Sequence, residues 1–173
     1  VAYPLHAGHF RGNDWGDSPE EVVAVEGEPY YTEKDPRYPL LGYYVESEGY
    51  EVELCCQFTP NGKLAFGGYE LENDIDLGPF FVWLDAVSAI YGPAKLGGYI
   101  FTGILEYEKR IREALSRRDE KTLIEALVTL KILLPYEWEG DITGISLSAF
   151  YAHKNTIIIE LVFSSNEYGP ILC

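Results

Sequence analysis

The sequence predicts an α+β protein of two pseudo-repeats, each a helix followed by an antiparallel three-stranded meander, with a helical hairpin inserted in the second repeat. The first observation is the stretch WGDSPEEVVAVEGEP, Trp15 to Pro29, which contains a helix start, one short apolar face and a stop. The second is FVWLDAVSAIYGPA, Phe81 to Ala94, which ends in the same way. The third is that segments with strand-like alternation follow both stretches. We expect a single domain over residues 1–173, with pseudo-repeat one at about 10–72, pseudo-repeat two at about 80–164 and the helical insertion at about 103–134.

The first helix carries start and stop signals at fixed spacing. Ser18 is suited to cap the helix, and Glu21, three residues later, completes a capping box. Gly27 is suited to a left-handed stop, and Gly92 occupies the same place after the second helix. The apolar stripes that we expect to face the core consist of Val22 and Val25 in the first helix and Leu84, Val87 and Ile90 in the second.

A first hairpin is predicted around Asn61-Gly62, a strong turn signal. The segment before it, YEVELCCQF (50–58), alternates apolar and polar residues, as a half-buried strand does. A two-residue loop would place Leu54 opposite Tyr69 and Phe58 opposite Ala65. That register leaves Leu64 on the other face, so a β-bulge or a longer loop is the alternative.

A second hairpin is predicted around 153–155, with Asn155 in the left-handed conformation. The apolar residues of its two strands oppose one another in order: Ile145, Leu147, Ala149 and Tyr151 against Phe163, Leu161, Ile159 and Ile157.

The inserted segment shows helical periodicity and no strand signal. Apolar residues recur at helical spacing in two series: Ile104, Tyr107, Ile111 and Leu115, then Leu123, Leu127, Leu130 and Leu134. Asp119 is suited to cap the second helix, and Pro135 is expected to end it. We predict two antiparallel helices from about Gly103 to Leu134.

The composition excludes several classes of function. With 28 acidic and 13 basic side chains, the net charge is −15, which argues against nucleic acid as a partner, because phosphate binding needs clustered Lys and Arg. No apolar run reaches the roughly 20 residues of a membrane span, so we expect no direct membrane insertion. The acidic excess favours either simple solubility or attraction of a basic protein or cations.

The phrase that opens the first helix resembles a known family. It is carried by Phe10, Trp15, Gly16, Ser18, Glu20, Glu21, Val22, Gly27 and Pro29. It resembles the β-lactamase-inhibitor-protein-like fold, the related small lipoprotein of the outer-membrane assembly machinery, and uncharacterised secreted or lipid-anchored proteins of Gram-positive bacteria. The resemblance implies tandem helix-plus-sheet repeats, no enzymatic activity, and protein binding through an exposed sheet face or its loops. The helical insertion and the absence of paired inhibitor-type disulfides depart from the family, so no particular target is implied.

Aromatic residues supply the predicted binding site. Tyrosine and tryptophan give a large contact area with few rotatable bonds and one polar group, and the chain has 14 tyrosines. The aromatic residues on predicted strands or their edges are Tyr30, Tyr31, Tyr43, Tyr44, Tyr50, Tyr69, Tyr136 and Trp138. From these we predict a binding surface on the sheet face left free by the helices, formed by Tyr43, Tyr44, Tyr69, Tyr136 and Trp138. The alternative is that these residues are there because strands favour them. Trp15 likewise has two interpretations, a staple that packs the helix on the sheet, which we favour, or an exposed anchor.

No catalytic residue, metal site or cofactor is predicted. The acidic stretch ELENDID (70–76) lacks the glycine and distal glutamate of an EF-hand, and with Glu137, Glu139 and Asp141 it is interpreted as solvated strand ends. Gly67-Gly68 indicates a strand irregularity or a turn. Neither the histidines (His6, His9 and His153) nor the cysteines (Cys55, Cys56 and Cys173) have the spacing of a metal or catalytic site.

The leading hypothesis is a non-enzymatic bacterial module that binds an unknown protein partner through an aromatic and acidic sheet face. From the family resemblance we expect an extracytoplasmic protein, secreted or lipid-anchored; a start at Val1 rather than Met is compatible with an upstream segment, and a cytoplasmic location stays open. One alternative is an intracellular acidic inhibitor of the toxin-immunity type. Another is a small hydrolase, which requires a cleft with two carboxyls roughly 5 to 10 Å apart.

Overall fold

A computed structural model of the chain describes residues 9–35, 37–96, 105–130, 132–153 and 155–168. Within these ranges the protein is α+β, with four helices, an eight-stranded antiparallel sheet and a separate two-stranded ribbon. The helices are α1 (Pro19–Glu26), α2 (Gly78–Tyr91), α3 (Leu105–Arg117) and α4 (Glu120–Leu130). The strands are β1 (His9–Phe10), β2 (Asn13–Asp14), β3 (Tyr31–Glu33), β4 (Leu40–Ser47), β5 (Tyr50–Phe58), β6 (Leu64–Asp74), β7 (Lys95–Leu96), β8 (Leu133–Glu139), β9 (Thr143–His153) and β10 (Thr156–Ser165).

The large sheet has one face covered by helices and one open face. Its strand order is β3-β4-β5-β6-β10-β9-β8-β7, so β6 and β10 join its two halves. Residues paired across strands lie on the same face, and one transverse row consists of Tyr43, Leu54, Tyr69, Leu161, Leu147 and Tyr136. These side chains belong to the hydrophobic core or pack against it, together with Phe80 and Val87 of α2. We call this side the covered face and the other side the open face.

Helix α1 begins and ends where the sequence predicts. The Ser18 hydroxyl accepts the Glu21 backbone N–H at 3.3 Å, and the Glu21 carboxylate accepts the Ser18 N–H at 2.8 Å, which confirms the capping box. Gly27 and Gly92 end α1 and α2 at φ 91° and 85°. The apolar stripes are shorter than predicted: Val22 and Val87 are fully buried, whereas Val25 and Ile90 are 38% and 45% exposed, because Glu26 and Tyr91 occupy the packed side of the last turn instead.

The two hairpins differ in how well their registers were predicted. All four apolar pairs of β9 and β10 are confirmed, and Asn155 has a φ of 68°. Leu54 faces Tyr69 in β5 and β6, as predicted, but a bulge at Gln57/Phe58 sets Phe58 opposite Leu64 instead of Ala65. The bulge allows Leu64 to be fully buried with Phe58, which explains why the longer loop is preferred over the two-residue turn.

The inserted helices α3 and α4 pack on the covered side. Their buried residues, Ile111, Leu115, Leu123 and Leu127, join the same core as the sheet. Arg118, between the two helices, forms an ion pair with Asp85 of α2 and lies over the Phe81 ring at 5.2 Å. The predicted end of the insertion is wrong, because α4 ends at Leu130 and Leu134 belongs to β8, where its side chain is fully buried against the sheet. Residues 103 and 104 lie outside the described residues.

The N-terminal ribbon closes one end of the core. Phe10 is 1% exposed and packs against the rings of Tyr69 and Phe163, with centroids at 5.7 and 5.3 Å. Trp15 stacks on Phe10 at 6.1 Å and donates its indole N–H to the Thr143 hydroxyl at 2.8 Å. Trp15 therefore fastens the start of α1 to the sheet, as the staple interpretation predicts. None of the described helices has both the length and the apolar character required to cross a membrane.

Candidate binding face

The five predicted binding residues do not share one surface. Tyr43, Tyr69 and Trp138 are each 4% exposed, and they lie with half-buried Tyr136 on the covered face. Their predicted place on the free sheet face is therefore wrong: Tyr43, Tyr69 and Trp138 are buried in the core, and Tyr136 packs against it. Only Tyr44 is on the open face, 62% exposed. Tyr43 and Tyr44 could not act together, since adjacent residues of a strand point to opposite faces.

Three exposed tyrosines form a cluster at the β3 edge of the open face. We call Tyr30, Tyr31 and Tyr44 the tyrosine cluster; they are 51%, 45% and 62% exposed. The Tyr30 and Tyr44 rings stack with centroids 4.3 Å apart, and Tyr31 lies 6.3 Å from Tyr30. Gly42 lies beneath them, and a Cβ there would approach the Tyr30 ring to 3.3 Å, so the glycine lets the rings lie close to the sheet.

A row of carboxylates continues from the tyrosine cluster across the open face. Tyr44 pairs with Glu53, Glu53 with Glu70, and Glu70 with Glu160, on four neighbouring strands. We call Glu53, Glu70 and Glu160 the carboxylate row. The Tyr30 hydroxyl donates to Glu53 at 2.6 Å, which raises the pKa of Tyr30 and joins the cluster to the row. The row therefore begins at an aromatic contact surface.

Two members of the carboxylate row, Glu70 and Glu160, have raised pKa values. Partial burial raises the pKa of Glu70, and the neighbouring charges of Glu160, Glu53 and Glu72 add to this effect. Partial burial also raises the pKa of Glu160, although the Ser148 hydroxyl donates to its carboxylate at 3.4 Å. Like charges directly opposite one another in a sheet are destabilising. The fold therefore tolerates a local electrostatic cost on its open face.

An apolar patch lies beside the carboxylate row. Ile158 pairs with Glu72 on one side and with Phe150 on the other, and Phe150 pairs with Leu133. Ile158 and Phe150 are partly exposed and Leu133 is 38% exposed. The open face thus combines aromatic, acidic and apolar parts.

The structure also places the predicted acidic stretches and two of the three cysteines. Glu70 and Glu72 of the ELENDID stretch lie on the open face, whereas the Asp76 carboxylate accepts the Gly78 N–H at 2.9 Å at the start of α2. Glu139 pairs with Lys95 at 2.6 Å. Cys56 is fully buried, and burial raises the pKa of its thiol, whereas Cys55 lies half-buried on the open face. His6 and Cys173 lie outside the described residues.

Among the described residues we find neither a metal-ligand cluster nor a pair of carboxylates inside the cavity between α3 and α4. Within these residues, no three His, Cys, Asp or Glu side chains converge as metal ligands. A small cavity of about 90 Å³ lies between α3 and α4, and its one carboxylate, Glu125, pairs with Arg110 at 3.7 Å. Glu70 and Glu160 are neighbours, but they lie on the open face. A second, open depression of about 370 Å³ on α3 is lined by Glu108 and Glu113 together with Lys109, Arg112 and Ser116. The hydrolase alternative stays a prediction.

Glu53 and Glu160 were not among the predicted site residues. The alternation in YEVELCCQF and TIIIELVF places both on the polar side of their strands. Their alignment also requires β6 to pair with β10, a contact between the two halves of the chain that no local pattern encodes.

We expect the double variant Glu70→Gln/Glu160→Gln to be more stable than wild type at neutral pH. Because the folded-state pKa of each carboxyl lies above its ordinary value of 4.5, the folded protein holds protons that the unfolded chain has lost. The free energy of unfolding therefore falls as the pH rises above that ordinary value through the folded pKa. Removing both charges should raise the free energy of unfolding by about 0.2–1 kcal/mol per like-charge pair near pH 7 and change it little near pH 4.

Urea unfolding at both pH values measures this difference. Glu113→Gln/Glu120→Gln, an equal charge change at exposed positions of α3 and α4, is the control and should show no such gain. A Glu70/Glu160 variant less stable than wild type at neutral pH would contradict the expected repulsion.

Comparison with known proteins yields no match to a family model, a curated protein or a solved structure. The functional assignment therefore depends on the chemistry of the open face.

Proposed function

We propose that the protein is a non-enzymatic protein-binding module whose partner docks on the open face, across the tyrosine cluster and the carboxylate row. The observation that carries this proposal is the stacked Tyr30–Tyr44 pair, exposed beside Glu53 on a face without a covering helix in the described structure. Exposed tyrosines with fixed ring positions are typical of protein interfaces, because they bury a large area at a small entropic cost.

The net charge of −15 supports the same proposal. A long-range negative potential accelerates the encounter with a basic partner and disfavours anionic surfaces. The apolar patch of Ile158, Phe150 and Leu133 would supply further contact area beside the acidic row. The partner is thus a protein rather than a nucleic acid.

A tandem repeat is part of this proposal. In the sheet order β3-β4-β5-β6-β10-β9-β8-β7, the four strands that follow α1 (β3 to β6) are mirrored by the four that follow α2 (β7 to β10), one more in each half than the three predicted. Val22 and Val87 are both fully buried, and Gly27 and Gly92 both end their helices with a positive φ. These correspondences support two pseudo-repeats and the resemblance to the β-lactamase-inhibitor-protein-like fold. An extracytoplasmic location in a bacterium accompanies that resemblance and is proposed with it.

The test is capture of a partner from envelope and cytosolic fractions of the source organism by immobilised protein. We expect Tyr30→Ser/Tyr44→Ser to bind the partner about tenfold more weakly or worse, because truncated interface tyrosines often carry much of the binding energy. Both rings are exposed, so the variant should fold as wild type does.

Val82→Ser/Ile90→Ser is the matched control, since these exposed apolar residues lie on α2, behind the sheet. The control should retain the partner. Equal loss in both variants, or a partner bound equally by all forms, would contradict a site on the open face.

A further inference from the structure

We infer that the segment of the partner that docks on the open face carries arginine side chains, which stack on the tyrosine cluster and pair with the carboxylate row. This inference rests on the proposed function and names the chemistry of its partner. The occupant is a protein segment with at least two arginines.

The tyrosine cluster and Glu53 together form a receptor for a guanidinium group. The Tyr30 and Tyr44 side chains are 51% and 62% exposed, with one face of each ring stacked on the other ring, and the Tyr30 hydroxyl donates to the Glu53 carboxylate at 2.6 Å. A guanidinium that stacks on a tyrosine ring keeps its N–H groups directed sideways, where a carboxylate can accept two of them. Ring face and carboxylate are adjacent here because Tyr44 and Glu53 are cross-strand partners.

The carboxylate row extends this receptor over neighbouring strands. Strands lie roughly 4.8 Å apart, so Glu53, Glu70 and Glu160 are spread along a line rather than gathered round one point. Consistent with this spread, they do not form a metal-ligand group among the described residues. A line of separate charges is complementary to a segment with several cationic side chains.

The row has no basic partner within the described part of the chain. The ion pairs there involve Glu26, Asp35, Glu139, Glu125 and Asp85. The contacts described for the row are the Tyr30 hydroxyl and the Cys55 thiol for Glu53 and the Ser148 hydroxyl for Glu160. The repulsion among these carboxylates is therefore not balanced by a basic side chain of the described residues, and a cationic side chain of a partner would reduce it.

Arginine suits this face better than lysine. A guanidinium is planar, stacks on aromatic rings and is more weakly hydrated than an ammonium group, so it loses less on leaving water. The exposed tyrosine stack therefore favours arginine over lysine, although the two side chains carry the same charge.

The test uses a synthetic peptide in which arginine alternates with alanine, titrated into the intact chain by calorimetry at low and physiological ionic strength. The comparison peptides contain lysine, or citrulline, which keeps the shape of arginine without its charge. We expect the citrulline peptide to bind at least about tenfold more weakly and the lysine peptide several-fold more weakly than the arginine peptide. Binding should weaken with salt, as between exposed charges.

Two variants locate the site. Glu70→Gln/Glu160→Gln should lower the affinity for the arginine peptide about tenfold. Glu113→Gln/Glu120→Gln, which has the same net charge, should change that affinity less than twofold. Tyr44→Leu should lower the affinity for the arginine peptide by a larger factor than the affinity for the lysine peptide. Equal binding of the arginine and citrulline peptides, or equal loss in the two double variants, would overturn the inference.

The outcome can be separated from that of the proposed function. If a partner is captured in a Tyr30- and Tyr44-dependent way but the arginine peptide neither binds nor displaces it, the binding function stands and arginine recognition is wrong. If the capture fails equally in wild type and variants, the proposed function itself is contradicted.

Discussion

Glu26→Gln should lower the free energy of unfolding by about 3–5 kcal/mol, the usual cost of removing one partner of a buried ion pair. The Arg11 guanidinium lies 3.1 Å from the Glu26 carboxylate, and the two side chains are 8% and 2% exposed. Glu26 also accepts a hydrogen bond from the Asn13 amide at 3.0 Å, so the carboxylate joins the N-terminal ribbon to the end of α1. The substitution removes the negative charge that faces a buried guanidinium. Chemical denaturation measures the loss.

A double-mutant cycle with Arg11→Met separates charge burial from packing. If the cost comes from the buried charge, Arg11→Met/Glu26→Gln should be more stable than Glu26→Gln alone, because the charge has gone with its partner. A loss below about 1 kcal/mol for Glu26→Gln, or single-variant losses that simply add, would contradict this role of the pair.

Gly67→Ala should destabilise the protein by about 3 kcal/mol, at the upper end of the range for overpacked cores. A Cβ at Gly67 would lie 2.2–2.6 Å from three ring atoms of Phe10, closer than any allowed contact. Phe10 cannot give way easily, because it is itself packed against Trp15, Tyr69 and Phe163. The N-terminal ribbon would therefore be displaced from the core, and the thermal midpoint should fall with the stability.

Gly68→Ala is the matched control at the next residue of the same strand. Its Cβ would point to the open face, where the nearest atom is a Phe66 ring carbon at 3.3 Å, a contact that a small ring movement relieves. Near-equal losses at the two glycines would indicate a general effect of alanine in β6 and contradict the specific clash with Phe10.

The local parts of the fold were predictable because their signals lie within a few residues. The Ser18–Glu21 capping box and the β9–β10 register each depend on one short segment, and both are confirmed. The bulge at Gln57/Phe58 was an open alternative, since the Asn61-Gly62 turn signal competes with the burial of Leu64. The interpretation of Gly67-Gly68 as an irregularity or a turn is wrong, because both glycines lie within β6. The Phe10 ring leaves no room for a Cβ at Gly67, and Phe10 lies more than 50 residues earlier in the sequence.

The binding face was only partly predictable, because alternation indicates which residues share a face but not which face the helices cover. Tyr43 and Tyr44 show this directly, since one had to be buried if the other was exposed. An aromatic and acidic open face was expected, but its members are Tyr30, Tyr31 and Tyr44 with the carboxylate row. The row depends on the pairing of β6 with β10 across the two halves of the sheet.

The open face as a protein-binding surface is tested most directly by site-specific photo-crosslinking in cells of the source organism. A photoreactive phenylalanine analogue replaces Tyr44 on the open face in one variant and Val82 on α2 in the other, both at exposed positions. We expect one discrete crosslinked partner from position 44, suppressed by excess unmodified protein, and none from position 82. The same partner crosslinked from both positions, or only from position 82, would contradict a binding site on the open face.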